Sequence, residues 1–185
     1  MSERAGSMKG KIIVDEAAMN RSLARLAHEI IEQNPSAETI YLIGIKRRGV
    51  PLAAILKQNI ERFSECKAEL GALDIRLYRD DVSERFPDPK VAGTEIPFDV
   101  TGKDIVLVDD VLYTGRTARA AMEAVIDIGR PAIIQLAVMV DRGHRELPIS
   151  ANFVGKNIPT ARSEFVKVMV PEFDQAMQVV LFQKR

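Results

Sequence analysis

The chain has 185 residues, 46% of them hydrophobic and 28% charged, with 26 basic and 26 acidic side chains. That length suits one domain with a sizeable core, and the hydrophobic share argues against disorder. The balanced charge excludes a global positive field for nucleic acid, so any RNA site must be a local basic face. The single cysteine, Cys66, excludes an intramolecular disulfide framework and cannot alone form a zinc site.

The first eleven residues, MSERAGSMKGK, are polar and lack an apolar signal region, which predicts a cytoplasmic protein. No apolar run approaches the roughly 20 residues of a membrane span. We read residues 1–185 as one domain with 1–11 as a polar tail. Asp15 offers an N-cap. Glu16 to Gln33 then carries Met19, Leu23, Leu26, Ala27, Ile30 and Ile31 at helical spacing, closed by Asn34-Pro35. Thr39 to Ile45 reads as a buried strand, Lys46-Arg47-Arg48-Gly49 as a turn and Val50 to Arg62 as a helix. Leu70 to Tyr78 alternates Leu73, Ile75 and Leu77 with polar partners, which predicts a half-buried strand.

Arg79 to Gly102 is irregular, with Pro87, Pro89, Gly93, Pro97 and Gly102 among many charges. A loop longer than about 15 residues in a compact domain is usually functional or disordered. Asp80 and Asp81 at its start are paired acids left without a role. Asp104 to Val108 predicts a strand, Thr117 to Ile128 a helix and Ile133 to Val140 another strand, with Gly129 and Pro131 punctuating the helix end. Strands alternating with helices imply an α/β fold with a doubly wound, mainly parallel sheet. Ligands of such sheets lie beyond the carboxyl ends of the strands. The loops at Lys46, Asp109 and Asp141 should therefore share one crevice.

The most informative stretch runs from Ile105 to Ala121, IVLVDDVLYTGRTARAA. A strand delivers Asp109 and Asp110 to a tight turn, and a helix begins beyond it. The acids can accept hydrogen bonds from sugar hydroxyls or join a metal's outer shell. Thr114, Thr117 and the backbone N–H groups of the turn converge where a phosphate would meet the helix N-terminus. The stretch resembles the motif of the type I phosphoribosyltransferases, which bind 5-phosphoribosyl 1-diphosphate (PRPP). Arg47 and Arg48, with Gly49 permitting close approach, suit a diphosphate; read alone they favour a solvated basic turn, and their place at a strand end beside the Asp109 loop reverses that reading. The same loop in that superfamily often holds a non-proline cis peptide.

Longer strings narrow the match. YRDD at Tyr78 to Asp81, DRGHRELP at Asp141 to Pro148 and GKNIPT at Gly155 to Thr160 closely resemble the PyrR family, bacterial pyrimidine operon attenuators that are also uracil phosphoribosyltransferases. The resemblance covers nearly the whole chain, from about Ile13 to the last strand. It implies synthesis of UMP and diphosphate from uracil and PRPP, with Mg²⁺ bridging substrate oxygens. It implies that Asp109 and Asp110 take the ribose hydroxyls. Val111, Leu112, Tyr113, Thr114, Gly115, Arg116 and Thr117 would cradle the 5-phosphate, and Arg47 and Arg48 would lie near the diphosphate. The base would meet Arg142, Val154 and Lys156, although Val154 also suits plain core packing. Asp109, Asp110 and Arg142 are the candidate catalytic residues, and no residue is assigned as a direct metal ligand. The long loop would be a hood over PRPP. Purine-using relatives carry an aspartate where this chain has Tyr113, so purines are disfavoured.

His28 and His144 are the only histidines, and neither a His-rich metal site nor a Ser/His pair is supported. A second function rests on a surface. Arg21, Arg25 and His28 share one face of the first helix. That face reads either as the solvated side of an amphipathic helix or, with His144 and Arg145, as an RNA site. PyrR regulators bind operon leader RNA through these regions under control of UMP or UTP. Ala24, Gln33 and Ser150 depart from RNA-binding members, which tend to carry threonine, arginine and arginine there. The alternative is an RNA-binding attenuator with weak or vestigial catalysis. The first helix is expected to lie away from the crevice. The resemblance further implies a homodimer or a larger homo-oligomer, without a membrane partner.

Overall fold

The structure, a computed structural model, describes residues 10–78 and 93–183. Its centre is a five-stranded parallel sheet in the order β3-β2-β4-β5-β6, formed by β2 (Thr39–Ile45), β3 (Lys67–Leu73), β4 (Asp104–Leu112), β5 (Ile133–Asp141) and β6 (Phe153–Asn157). Helices cover both faces. On one side α1 (Glu16–Gln33) buries Met19, Leu23, Leu26, Ala27 and Ile30, beside α2 (Gly49–Phe63) with Leu52, Leu56 and Ile60. On the other side α3 (Arg116–Ile128) lays Ala118, Ala120, Ala121, Ala124 and Val125 against Ile105, Leu107 and Val138. Alanines let α3 approach the sheet closely. Two covered faces explain why β4 reads as an unbroken apolar run rather than an alternation. This is the doubly wound α/β architecture expected from the sequence.

A second sheet was not legible. β1 (Lys11–Val14), β7 (Glu164–Met169) and β8 (Gln178–Gln183) form an antiparallel sheet in the order β1-β8-β7. The short helix α4 (Pro171–Asp174) lies between β7 and β8. Lys11, taken as tail, opens β1 and pairs with Leu181. Val168, Val170, Met177 and Val179 carry this sheet onto the α1 and α2 side of the core.

Two strands differ from their expected extent by more than one residue. The strand expected over 70–78 runs from Lys67 to Leu73, and Arg76–Tyr78 is one 3-10 turn. The pairing of β3 with β2 ends at Leu73 opposite Ile45. The Asp74 side chain then accepts from the Arg76 N–H at 3.1 Å and turns the chain. Ile75 keeps the apolar rhythm because it is buried from that turn. β4 runs on to Leu112, because β5 pairs with it as far as Asp141, so both acids belong to the strand itself. Of the proposed hood, residues 79–92, with Asp80 and Asp81, lie outside the described residues. The remainder pairs once with the sheet edge, Ala72 to Glu95. No helix among the described residues is long and apolar enough to cross a membrane.

The strand ends converge because α2 starts hard against β4. A Cβ on Gly49 would fall 2.3 Å from the Val108 carbonyl oxygen. Gly49→Ala should therefore force the two apart, at about 1–3 kcal/mol for overpacking. At about 2–4 °C per kcal/mol for a chain of this size, the melting temperature should fall by several degrees. An unchanged melting curve would refute this account of the close approach.

Candidate active site

Near its carboxyl end β4 carries two adjacent carboxylates. Asp109 is only 9% exposed. Its Oδ1 accepts from the Asp110 N–H at 2.8 Å, and Asp110 Oδ1 accepts from the Val111 N–H at 2.8 Å. Burial, followed by the charge of Asp110, raises Asp109 well above the ordinary carboxylate range. Burial also raises Asp110, while contact with Asp109, the Val111 N–H and the charge of Arg48 oppose the rise.

A cleft of about 650 Å³ opens beside them, lined by Lys46, Arg47, Arg48, Asp74, Arg76 and both acids among others. The Lys46–Arg47 peptide is cis, as the resemblance implied. Arg48 reaches out of the loop to Asp174 of α4, with Nε at 3.1 Å and Nη2 at 2.9 Å. The Arg47 guanidinium lies 4.8 Å from the centroid of the Phe173 ring. Lys46 bonds the Gly93 carbonyl. Arg76 is held by Asp74 through Nε and Nη2, the latter at 2.7 Å.

The turn after β4 lines a second cavity of about 430 Å³, which takes in Asp109, Val111, Leu112 and Tyr113 to Thr117. Gly115 has φ +93°, where a side chain would be strained. It caps α3 without a cap bond of its own, and the Thr114 hydroxyl accepts from the Arg116 N–H at 3.3 Å. A helix start left in that state suits an anion. Thr114 steadies the turn. Its carbonyl accepts from the N–H groups of Glu146 and Leu147, at 2.9 and 3.1 Å.

A third cavity, about 430 Å³, lies between the DRGHR loop and the segment Asn157 to Thr160. Arg142 is buried in its wall, held by Thr160 Oγ1 at 3.1 Å and the Glu164 carbonyl at 2.7 Å. Its guanidinium stacks 4.1 Å from the Tyr113 ring centroid, joining this cavity to the turn. His144 Nε2 bonds the Thr160 carbonyl and meets Tyr113 edge-on at 6.0 Å. Arg145 bonds Asp141, the Ile149 carbonyl and the Tyr113 carbonyl.

Residues 10–173 match the phosphoribosyl transferase domain family. The bifunctional protein PyrR of Clostridium novyi is 57% identical over 173 residues, 94% of this chain and 97% of that protein. The bifunctional protein PyrR of Thermus thermophilus is 56% identical over 172 residues, 93% of this chain and 95% of that one. The chain belongs to the PyrR family of type I phosphoribosyltransferases. A hypoxanthine phosphoribosyltransferase structure from Trypanosoma cruzi superposes with a TM-score of 0.72, covering 95% of this chain and 97% of that one. At 18% identity that likeness establishes the fold alone.

The structure brings Arg47, Arg48, Asp109, Asp110 and Val111 to Thr117 to one rim, with Arg142 stacked on its far end. Val154 and Lys156 lie on β6, the edge strand beyond Arg142. The residues of the expected RNA face are more engaged than the sequence implied. Arg21 is exposed on α1. His28 stacks on Phe63, with ring centroids 4.4 Å apart. Arg25 donates to the Val154 and Gly155 carbonyls at 2.9 and 2.7 Å. The helix therefore does not stand clear of the site, because one of its arginines grips the strand of the proposed base readers. Sequence reasoning missed Asp74, Thr160, Phe173 and Asp174. The Arg48–Asp174 contact spans 126 residues, and no local pattern signals it.

The raised carboxylates make a stability prediction. Because the folded-state value of Asp109 lies above the unfolded one, folding is unpenalised below the unfolded value of about 3.9, and the penalty grows as pH rises from there. Asn keeps the acceptor for the Asp110 N–H and removes the charge. Asp109→Asn should raise the neutral-pH melting temperature of the ligand-free protein, by a few degrees if the gain is about 0.5–2 kcal/mol. The advantage should vanish near pH 3. Thermal melts across pH check this, and a variant less stable than the parent at pH 7 would refute it.

Proposed function

We propose that this member of the PyrR family makes UMP and diphosphate from uracil and PRPP at the rim just described, and that it also attenuates pyrimidine operon transcription by nucleotide-dependent binding of leader RNA. The observation that carries the catalytic reading is the paired acids beside a glycine-capped helix start, with Arg47 and Arg48 across the cleft. In the reaction the bond from ribose C1′ to diphosphate breaks, and uracil N1 bonds to C1′ as it loses its proton. The transition state has oxocarbenium character, as in glycoside hydrolysis. No protein nucleophile is needed, and positioning with electrostatic stabilisation supplies the rate.

Asp110 and Asp109 accept from the ribose hydroxyls and face the developing positive charge. The 5-phosphate sits on the turn from Val111 to Thr117, at the start of α3. Arg47 and Arg48 take the diphosphate. Arg142, already fixed by Thr160 and Glu164, presents a rigid wall to uracil beside Val154 and Lys156. Tyr113 occupies the position from which a carboxylate would read a purine N7.

The acids also bear on Mg²⁺. Among the described residues, no group of three or more His, Cys, Asp or Glu side chains could hold a metal by itself. Two carboxylates on one wall still fit Mg²⁺, which takes one or two of them and completes its shell with substrate oxygens and water. Bound with PRPP, the ion would neutralise charge on the leaving diphosphate. The working unit in this reading is a homodimer or a larger homo-oligomer.

A product assay on three bases tests the enzyme. With Mg²⁺ and PRPP, uracil should turn over and hypoxanthine and orotate should give little product. Preference for hypoxanthine would sink the assignment.

Filter binding to pyrimidine leader RNA tests the regulator. Binding should tighten with UMP and fall steeply with salt as counterions leave. Arg21→Ala should weaken it without changing uracil turnover. Ala24→Thr, Gln33→Arg and Ser150→Arg together should strengthen it, and each new phosphate contact should steepen the log–log salt slope by about 0.7–0.9. Parent binding that is already tight and salt-sensitive, with no gain in the triple variant, would contradict the role given to those departures.

A further inference from the structure

Apart from the Glu164 carbonyl that holds Arg142, the second sheet has no part in the chemistry described so far, yet its short helix touches both arginines of the diphosphate loop. Asp174 is 4% exposed in its side chain. It receives Arg48 through Nε and Nη2, Lys167 Nζ at 2.7 Å and the Val170 N–H at 3.2 Å. Burial alone would raise the Asp174 carboxyl, but its bonds from Arg48 and Lys167 prevail and hold it well below the usual range. It is therefore a fixed anion at working pH. Next to it, Phe173 is 43% exposed, and its ring lies under the Arg47 guanidinium.

The geometry of Arg48 is the key. Two of its nitrogens, Nε and Nη2, face Asp174, and Nη1 has no partner among the described residues. The same guanidinium lines the cleft and acts electrostatically on Asp110. A free arginine samples many rotamers, and ordering it costs conformational entropy. A planar fork gripped along one edge presents its other edge in a fixed direction.

Resting on the PRPP reading above, we propose that Asp174 and Phe173 are positioning residues for the diphosphate subsite: Asp174 aims the free edge of Arg48 into the cleft, and Phe173 supports Arg47 beside it. The C-terminal sheet is thereby a working part of the site rather than a passive appendage.

The alternative has the opposite sign. If Asp174 merely competed with substrate for Arg48, removing its charge would free a cation and tighten PRPP binding. If it aims Arg48, removal releases the side chain and weakens PRPP binding. Asp174→Asn keeps size and an acceptor oxygen. Steady-state kinetics on the full chain should show the PRPP KM raised by roughly ten- to a hundredfold, the scale of a small misplacement of a binding group, with the uracil KM near the parent value. Calorimetry on the ligand-free protein with Mg²⁺ and inorganic diphosphate should show a comparable loss of affinity. Lys167→Met is the structural control, since Lys167 shares the Asp174 carboxylate but does not line the cleft. It should leave the PRPP KM near the parent value. Phe173→Ala, at an exposed position, should raise the PRPP KM severalfold and decides the matter if Asp174→Asn fails to fold. An unchanged or lowered PRPP KM in folded Asp174→Asn, or an equal rise in Lys167→Met, overturns the proposal. If the parent fails to convert uracil, the functional reading falls, and the diphosphate titrations still decide the role of Asp174.

Discussion

Two adjacent carboxylates at the buried end of β4 are the constraint around which this molecule is built. Every residue from Ile105 to Val108 is buried, so the strand drives straight through the core before it delivers Asp109 and Asp110. A charge taken out of water is costly unless it is paired or hydrogen-bonded. Here each carboxylate receives one backbone N–H, and Arg48 contributes charge from across the cleft. That compensation is incomplete, as the upward shift of both acids shows. Sugar hydroxyls and a divalent cation would supply what the protein withholds. The pair thus remains short of donors, a departure from optimal stability of the kind expected at functional sites.

The cationic side of the cleft is held differently. Arg25–Glu29 and Lys57–Glu61 are exposed helix pairs, of a type worth about 0.3–0.5 kcal/mol. Arg48–Asp174 is another kind of contact, with the acid 4% and the arginine 26% exposed. Breaking a buried pair by deleting one partner costs about 3–5 kcal/mol, and the part of Arg48 left in water places this pair toward the lower end. The difference decides which ion pairs matter to architecture. Only the second joins the parallel sheet's loops to the antiparallel sheet formed by the two ends of the chain.

Much of this was legible because it is local. The 3.6-residue spacing from Met19 to Ile31 and the cap at Asp15 place α1 within its observed bounds. Asp109 to Thr117 announce a strand, turn and helix within a few residues. What failed to show is non-local. β1 is four residues long and finds its partner β8 at the other end of the chain. α4 is a four-residue helix whose aromatic and acid look unremarkable until they meet Arg47 and Arg48. The strand misplaced over 70–78 shows another limit. Ile75 satisfies a strand's alternation and is buried, but the carboxylate of Asp74 offers the next backbone N–H groups an alternative partner and the ladder ends.

Arg25 shows why a surface reading needs the edge of the sheet. Among the described strands β6 pairs with β5 alone and stands at the sheet edge. The Arg25 guanidinium donates there to the Val154 and Gly155 carbonyls. On the helix surface the same side chain sits with Arg21 and His28, the face that RNA would meet. A group bonded to β6 on one side and presented on a basic face on the other cannot be altered for one role alone. Removing it opens the strand edge, so a loss of RNA binding in Arg25→Ala would not separate contact with RNA from loosening of β6. Arg21, exposed on the same helix, lacks that second attachment. Any coupling of nucleotide to RNA that runs through this contact must be reciprocal, so RNA bound at α1 would strengthen nucleotide binding by the same factor that nucleotide strengthens RNA binding.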